Sequence, residues 1–435
     1  MDKITTYPEA TAFLFERLAV FQRQGGSAYK PGLDTAIALD NACSNPHRHY
    51  ASIHIAGTNG KGSTAHTLAA ILQSAGYRTG LFTSPHLVDF RERIRVNGEM
   101  IPREAVVEFV NRFIDMKLAV WPSFFELTSA MALDWFAKQR VDFAVIETGL
   151  GGRLDSTNII TPALSVITNI SSDHTQFLGT TLPEIAYEKA GIIKPCTPVV
   201  VGEAPDAAVR RVFEAKAKAE KAPIVFAQDH PEIISASASP EPTYTTRSFG
   251  TIHPQLTGEW QRLNADTILA AVKELKDQNI EIDDEAVRAG FAHVCELTGL
   301  QGRWMKLDDA PLTICDTGHN TGGWTHLAAR LNSIPGTKHM VIGFVNDKDI
   351  NGILSIMATI KPAVWHFTNA SIPRALPAAE LSDTAMIHGL KGSVDATVAD
   401  AYRRARSEAA AEPQAMVFVG GSTFVVADLL AALGK

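Results

Sequence analysis

A chain of 435 residues is too long for one ordinary hydrophobic core, so two domains, with room for a small insertion, are expected. Its 40 Lys+Arg against 47 Asp+Glu give a net charge of −7, which argues against nucleic acid or an anionic membrane as the main partner, while 46% hydrophobic and 20% charged residues make a soluble globular composition. Cys43, Cys196, Cys295 and Cys315 lie far apart without a CxxC pair, so neither a disulfide framework nor a zinc site is suggested; with no basic-then-apolar leader and no apolar run near ~18 residues, a cytoplasmic protein is expected.

Taken in order, residues 8–24 read as an amphipathic helix, with Phe13, Leu14, Leu18 and Phe21 on one side and Gln24-Gly25-Gly26 at its end. Residues 28–33 form a loop with a proline–glycine turn. A short apolar strand follows at 52–56, and Ala65, Leu68, Ala69 and Leu72 give helical spacing over 65–75. A second strand, 78–83, stops in Ser84-Pro85-His86. Helices are expected at 103–117, 126–139 and 182–191, and strands at 141–147 and 163–169. Short strands at 198–201 and 223–226 flank a charged helix at 205–221. This βαβ rhythm implies an α/β fold with a mainly parallel sheet covered on both faces. Residues 230–258 turn polar and Ser/Thr/Pro-rich, as a hairpin would. Helices at 264–278 and 283–296 complete a first domain, 1–298, and residues 298–302 read as a linker. The second domain, 303–435, alternates again, with strands at 312–315, 340–344, 363–368 and 416–419 and helices at 324–331, 350–360 and the carboxyl end. That is a small Rossmann-like domain. It carries no GxGxxG, which weakens a dinucleotide dehydrogenase, and no 20–50-residue repeat is evident.

Between the first strand and its helix lie Gly57-Thr58-Asn59-Gly60-Lys61-Gly62-Ser63-Thr64. A strand, a glycine turn and a helix N-terminus offer free backbone N–H groups, a positive dipole end and a lysine charge. Such a site holds a polyphosphate, and the hydroxyl beside the lysine reaches a magnesium ion. The spacing is a variant of the usual P-loop: Gly57 stands only two residues before Gly60, and Ile55 occupies the regular first-glycine position.

Ligands of open α/β sheets gather outside the carboxyl ends of the strands. Glu147 ends one expected strand beside the phosphate turn, where a carboxylate can hold magnesium. Ser84 ends another with a hard oxygen, and His174 follows a third in Asn169-Ile170-Ser171-Ser172-Asp173-His174. Gly149-Leu150-Gly151-Gly152-Arg153-Leu154-Asp155 is a glycine-rich loop with a charged tip, suited either to wrapping a substrate or to a flexible connection. Lys189, in the last turn of its helix, reads by default as a solvated charge at the negative dipole end.

Seven motifs, GTNGKGST (57–64), TSPHL (83–87), FFE (124–126), ETGLGGRLDSTN (147–158), DHTQFLG (173–179), EKAG (188–191) and DTGHN (316–320), run in the order found in one family. Over almost its whole length the chain resembles the folate branch of the Mur ligase superfamily. The resemblance implies an ATP-binding domain with a P-loop-type sheet, a smaller glutamate-ligase domain, and an ATP-dependent amide ligase. Its carboxylate substrate, dihydropteroate or the γ-carboxylate of a folate, would pass through an acyl phosphate to receive L-glutamate. ATP contacts are implied for Gly57, Thr58, Asn59, Gly60, Lys61, Gly62, Ser63 and Asn264, and from the second domain for Arg303 and Asp316. Mg²⁺ is implied at Ser84, Glu147, His174 and a carbamylated Lys189, and the family also accommodates a monovalent cation. The pterin side would meet Gly32, Leu33, Phe125, Arg153, Asp155 and Ser156. His319 and Ser422 would lie near the incoming glutamate. Family members are usually monomers, and closure of the two domains would assemble the site.

Two other readings differ in their requirements. A cell-wall Mur ligase places a nucleotide-sugar domain of about 100 residues before its phosphate loop, and Lys61 comes too early for one. A nucleotide-hydrolysing switch protein needs neither an acceptor pocket nor second-domain ATP contacts, and its turnover would ignore glutamate and folate.

Overall fold

Strand β1 (Ala51–Ala56) has five of its six residues buried, as a strand does when helices cover both faces of its sheet. It lies parallel to β5 (Phe143–Glu147) on one side and β6 (Leu164–Asn169) on the other. The parallel part continues through β2 (Thr79–Phe82), β7 (Val199–Glu203) and β8 (Ile224–Phe226). An antiparallel hairpin, β3 (Ile94–Val96) with β4 (Glu99–Met100), finishes one edge, giving the order β4-β3-β2-β5-β1-β6-β7-β8. The structure is a computed structural model describing residues 3–19, 32–237, 242–346 and 348–435. By internal contact the chain forms two units, residues 1–86 with 90–300, and residues 87–89 with 301–435.

Alternation along the strands explains the two cores of the first unit. Ile53, Ile55, Leu81 and Val145 point to one face, packed against Leu68 and Leu72 of helix Lys61–Ser74 and Leu269 of helix Glu259–Asp277. Phe82, Ala144 and Ile146 point to the other, under helices Arg103–Met116 and Phe124–Lys138 through Phe109, Phe113, Leu127 and Phe136. The polar stretch after residue 230 is a small antiparallel sheet, β9 (Ile233–Ser237), β10 (Thr243–Thr246) and β11 (Thr251–Ile252).

The differences from the expected elements have local causes. The amino-terminal helix starts from a Thr6 capping box, runs as α-helix over Tyr7–Ala12, widens into a π-helical turn, Phe13–Arg17, and stops at an extended Leu18. It therefore ends before residue 24, and residues 20–31 lie outside those described. Helix Asp34–Ala42 has no counterpart in the expectation, because only Ala36 and Leu39 supply its buried apolar face. The 283–296 helix breaks at His293 into Asp284–Ala292 and Val294–Thr298.

In the second unit the sheet has six strands where four were expected: β12 (Met305–Asp309), β13 (Leu312–Asp316), β14 (Lys338–Ile342), β15 (Ala363–Phe367), β16 (Gly392–Val394) and β17 (Met416–Gly420). Their order is β12-β13-β17-β14-β15-β16, with only β12 antiparallel. β12 and β16 were missed because their burial is shallow. Helices Ala378–Ile387 and Val398–Ala410 were missed because their inner faces are largely alanine. Both faces are covered, one around Trp324, Phe344 and Phe418, the other around Val341, Tyr402 and Leu429.

Helix Asp284–Ala292 crosses helix Lys61–Ser74 at Gly290. A Cβ built there would stand 2.5 Å from Ile71 Cγ1 and 2.6 Å from the Ile71 backbone nitrogen. The second neighbour cannot rotate away. Gly290→Ala should therefore destabilise the chain by about 1–3 kcal/mol through overpacking, read as a lower midpoint of thermal unfolding.

Candidate active site

The phosphate loop is held by the end of β6. Thr58 N–H donates to the Asn169 carbonyl at 2.9 Å, Asn59 N–H to Asn169 Oδ1 at 3.1 Å, and Thr168 Oγ1 to the Asn59 carbonyl at 2.6 Å. Thr58 Oγ1 exchanges bonds with the backbone of Ser171. The loop needs its glycines for space as well as for backbone freedom. Gly57 (φ +146°) lies where a Cβ would meet Thr168 Oγ1 at 1.9 Å, and at Gly60 (φ +83°) one would meet Asn264 Oδ1 at 2.2 Å. Gly60 precedes helix Lys61–Ser74, whose amino end no side chain caps. The intrahelical ladder begins only with Thr64 N–H to the Gly60 carbonyl. The first-turn amides, including those of Gly62 and Ser63, thus form the electropositive end expected of an anion site. Ser63 is buried and its hydroxyl accepts from Gln261 at 3.2 Å, while Gln261 Oε1 accepts from Asn264 Nδ2 at 3.0 Å. The start of helix Glu259–Asp277 is in this way laid against the loop.

Two lysines converge on a single carbonyl. Lys61 Nζ donates to the oxygens of Gly57 and Thr58, both at 3.1 Å, and Lys189 Nζ donates to the Gly57 oxygen at 2.8 Å. Lys189 is only 4% exposed. The solvated helix-end charge expected of it by default is therefore overturned: its helix, Leu182–Ala190, packs inward and carries the ammonium under the phosphate loop. Burial, together with the nearby Lys61 charge, lowers its pKa from 10.5 to about 7.

At the neighbouring strand ends, Glu147 is buried and its Oε2 accepts from the Ser84 backbone N–H at 3.0 Å. Sequence reasoning missed Arg93, which is 2% exposed beneath these groups. Its Nε donates to His86 Nδ1 at 2.7 Å and its guanidinium lies 5.1 Å from the centre of the Phe124 ring. Burial lowers its pKa to about 10 against the pull of Glu147. In sequence it belongs to a run of charges that reads as a solvated turn. His174 stands just before a short turn of helix with a left-handed backbone (φ +50°), beside Asp173.

The glycine-rich loop after Glu147 is ordered by Asp155, whose Oδ2 accepts from the Gly149 and Leu150 amides at 2.8 Å each and whose Oδ1 accepts from Thr157. That carboxylate is buried and its pKa raised by desolvation. Asp155 thus orders the loop from within. Ser156 likewise turns to Ser129 at 2.9 Å. Arg153 pairs with Glu188 at 2.9 Å and remains partly exposed. Gly152 rests on the Lys189 and Glu188 carbonyls, which would lie 2.9 and 3.0 Å from a Cβ. The ring of Phe125 lies against Gly149 and 5.7 Å from that of Phe82. Among the described residues nothing lies within 4 Å of a Cβ at Gly32 (φ +130°), and Leu33 is the N-cap of helix Asp34–Ala42, just after the expected connection.

In the second unit Asp316 ends β13 and accepts from the amides of Trp304 and Gly318 at 2.7 and 2.8 Å. Its pKa is raised by desolvation and drawn down by Arg303. His319 Nδ1 is 3.1 Å from the Thr317 carbonyl. β17 pairs with β13 so that Gly420 faces Asp316, which puts Ser422, the N-cap of helix Thr423–Ala432, at the same sheet edge.

A phosphate turn with a buried acid, Glu147, at the neighbouring strand end, on a parallel sheet followed by a Rossmann-like unit, is the build of a Mur-type ATP-dependent ligase. Residues 123–272 match the Mur ligase middle domain. The chain is 33% identical over 440 residues to the dihydrofolate synthase/folylpolyglutamate synthase of Bacillus subtilis, spanning 98% of each, and 32% identical to that of Escherichia coli over 86% of this chain and 85% of the other. Among solved structures, Mycobacterium tuberculosis folylpolyglutamate synthase complexed with ADP superposes with TM-score 0.87 at 30% identity over 100% of this chain and 99% of that one. E. coli FolC in complex with DHPP and ADP gives 0.85 at 28% identity with the same coverage. The chain belongs to the dihydrofolate synthase/folylpolyglutamate synthase family. Among the described residues no helix is long and apolar enough to cross a membrane.

The buried lysine has a consequence for stability. With its folded pKa near 7 and an unfolded value near 10.5, the unfolded chain binds more protons between those limits, so stability rises with pH across that window. Lys189→Met should accordingly be favoured relative to the parent at or below pH 7 and lose that advantage as pH approaches 10, measured by denaturant unfolding at a series of pH values.

Proposed function

We propose that the chain joins L-glutamate to a pteridine-bearing carboxylate, that of dihydropteroate, the γ-carboxylate of folates, or both, with ATP as the driving substrate. The observation that carries the reading is the convergence of Lys61 and Lys189 on the Gly57 carbonyl beneath an uncapped helix end. Bound polyphosphate would replace the loop carbonyls as the partner of Lys61. The relatives named for this activity match 98% and 86% of the chain, which favours it over a switch protein or a ligase acting on UDP-sugar peptides.

A carboxylate is a poor acyl acceptor because its charge repels nucleophiles and its leaving group would be oxide. Attack of the carboxylate oxygen on the γ-phosphorus, with the bond to ADP breaking, gives an acyl phosphate. The glutamate amine then attacks the acyl carbon, loses a proton, and inorganic phosphate leaves. Lys61 and the amides of Gly60, Gly62 and Ser63 would offset charge on the transferred group before it develops. Asn264, Arg303 and Asp316 are assigned to the nucleotide, His319 and Ser422 to the glutamate side. Gly32, Leu33, Phe125, Arg153, Asp155 and Ser156 are assigned to the pterin side.

Ser84, Glu147 and His174 offer hard oxygen and imidazole donors, and the buried carboxylate of Glu147 at a strand end fits a divalent cation such as Mg²⁺. Bound there, the cation would neutralise phosphoryl charge. Lys189 can join that set only as a carbamate. Its depressed pKa supplies a neutral amine near pH 7, whose nitrogen can attack the carbon of CO₂ and release a proton, leaving a carboxylate-like head where an ammonium stood. With both groups of assigned residues in one chain, we propose a monomer acting in the cytoplasm.

Supplied with ATP, Mg²⁺ and glutamate, the protein should release ADP only when dihydropteroate or tetrahydrofolate is present, with a product heavier by one glutamyl residue in mass spectra. ADP release indifferent to both substrates would point to a switch protein. Lys61→Ala should abolish ligation, lowering kcat/KM by about 10³-fold or more, because phosphate positioning supplies most of the catalysis. Lys189→Ala should impair acyl phosphate formation and regain part of its rate with added short carboxylic acids, while an unchanged rate would leave that lysine a structural role.

A further inference from the structure

The second unit contains a cluster of titratable groups that ATP-dependent ligation does not use. His339 of β14 and His366 of β15 lie on the sheet face covered by helix Val398–Ala410, each about 1% exposed. His339 Nδ1 and His366 Nε2 face each other at 3.4 Å, and Glu408 Oε2 lies 3.6 Å from each. Among the described residues these three are the only group of His, Cys, Asp or Glu ligand atoms so gathered.

The outer nitrogens of the rings bear on which inner nitrogens carry lone pairs. Ser393 Oγ donates to Asp395 Oδ2 at 3.1 Å, so it accepts from His366 Nδ1–H at 3.0 Å, leaving His366 Nε2 unprotonated. His339 Nε2 makes no hydrogen bond but lies 3.5 Å from Glu412 Oε1, a carboxylate that favours a proton on that nitrogen. With that proton in place His339 Nδ1 is a lone pair too; with the proton on Nδ1, beside Glu408, the ring instead donates to His366 Nε2 across the 3.4 Å gap. The pair therefore shares either a proton or, in the first tautomer, a cation that all three facing atoms can ligate.

The geometry points to a divalent transition-metal site, for which we propose Zn²⁺ held by His339 Nδ1, His366 Nε2 and Glu408. With metal–nitrogen and metal–oxygen bonds of about 2.0–2.1 Å, the edges of a ligand tetrahedron are roughly 3.3–3.4 Å, close to the triangle already present. Each histidine also has an outer partner of the kind that orients metal-bound imidazoles, Glu412 for His339 and Ser393 with Asp395 for His366. Both glutamates reach the surface, 44% and 43% exposed, which gives the ion a path in and leaves the fourth position to water. The site lies away from the ligase groups of this unit: His339 pairs with Val417, three residues before the Gly420 that faces Asp316. Occupied, it would fasten the end of the covering helix to β14 and β15.

The test uses the whole protein, stripped of metal and given Zn²⁺ in the presence of excess Mg²⁺, with competition by a chromophoric chelator and a thermal scan. The wild type should bind one equivalent and unfold at higher temperature when loaded. Glu408→Gln, a surface substitution on a helix, should bind Zn²⁺ roughly tenfold or more weakly and lose the thermal shift, and His366→Gln should behave alike. Glu412→Gln should weaken binding less than Glu408→Gln. If the wild type binds no Zn²⁺, or binds and unfolds no differently from Glu408→Gln, the cluster holds a shared proton instead of a metal and the proposal fails.

Discussion

The first unit is arranged around the carbonyl oxygen of Gly57. It accepts from two ammonium groups, Lys61 from its own helix and Lys189 from a helix more than a hundred residues later. Two like charges near one neutral acceptor are unfavourable unless an anion joins them or one of them gives up its charge. The fold keeps this arrangement through the bonds that Thr58, Asn59, Thr168, Asn169 and Ser171 make with one another. The result is a concentration of positive potential prepared before any phosphate arrives, and preorganisation of this kind is what lowers a charge-developing barrier.

The glycine-rich loop after Glu147 follows from the same constraint. Lys189 can lie under the phosphate turn only if its helix approaches closely, and Gly152 and Gly191 permit this by leaving no Cβ between the helix carbonyls and Arg153. Asp155 then freezes the loop by taking its amides. The flexible connection that glycine composition alone suggests is therefore a rigid wall, and the glycines serve close packing more than motion.

Much of this was legible in the sequence, and the limits are physical. The parallel strands β1, β5 and β6 announced themselves as short, mostly apolar runs, and the phosphate turn by glycines, lysine and hydroxyls at a strand-to-helix junction. What escaped notice has its meaning set by distant partners. Arg93 looks solvated until Glu147 and Phe124 are folded over it. Lys189 looks like a helix-end charge because a dipole argument counts only its own helix. Helices with alanine faces, such as Val398–Ala410, carry little periodic signal although they bury well.

The histidine cluster shows the same limit from another side. Cysteine spacing suggests no zinc framework, yet the rule concerns ligands close together in sequence, and these donors come from three separated elements. On a strand, a histidine alternating with apolar neighbours reads as a core residue with one satisfied nitrogen. It is the register of β14 with β15, placing Val341 opposite His366 and so His339 on the same face, that turns two ordinary core histidines into facing donors. A parallel pair does this for every second residue along its length, so the chemistry of such a sheet face is decided by which helix covers it. Here helix Val398–Ala410 brings Glu408, and the turn after it Glu412, over the two imidazoles.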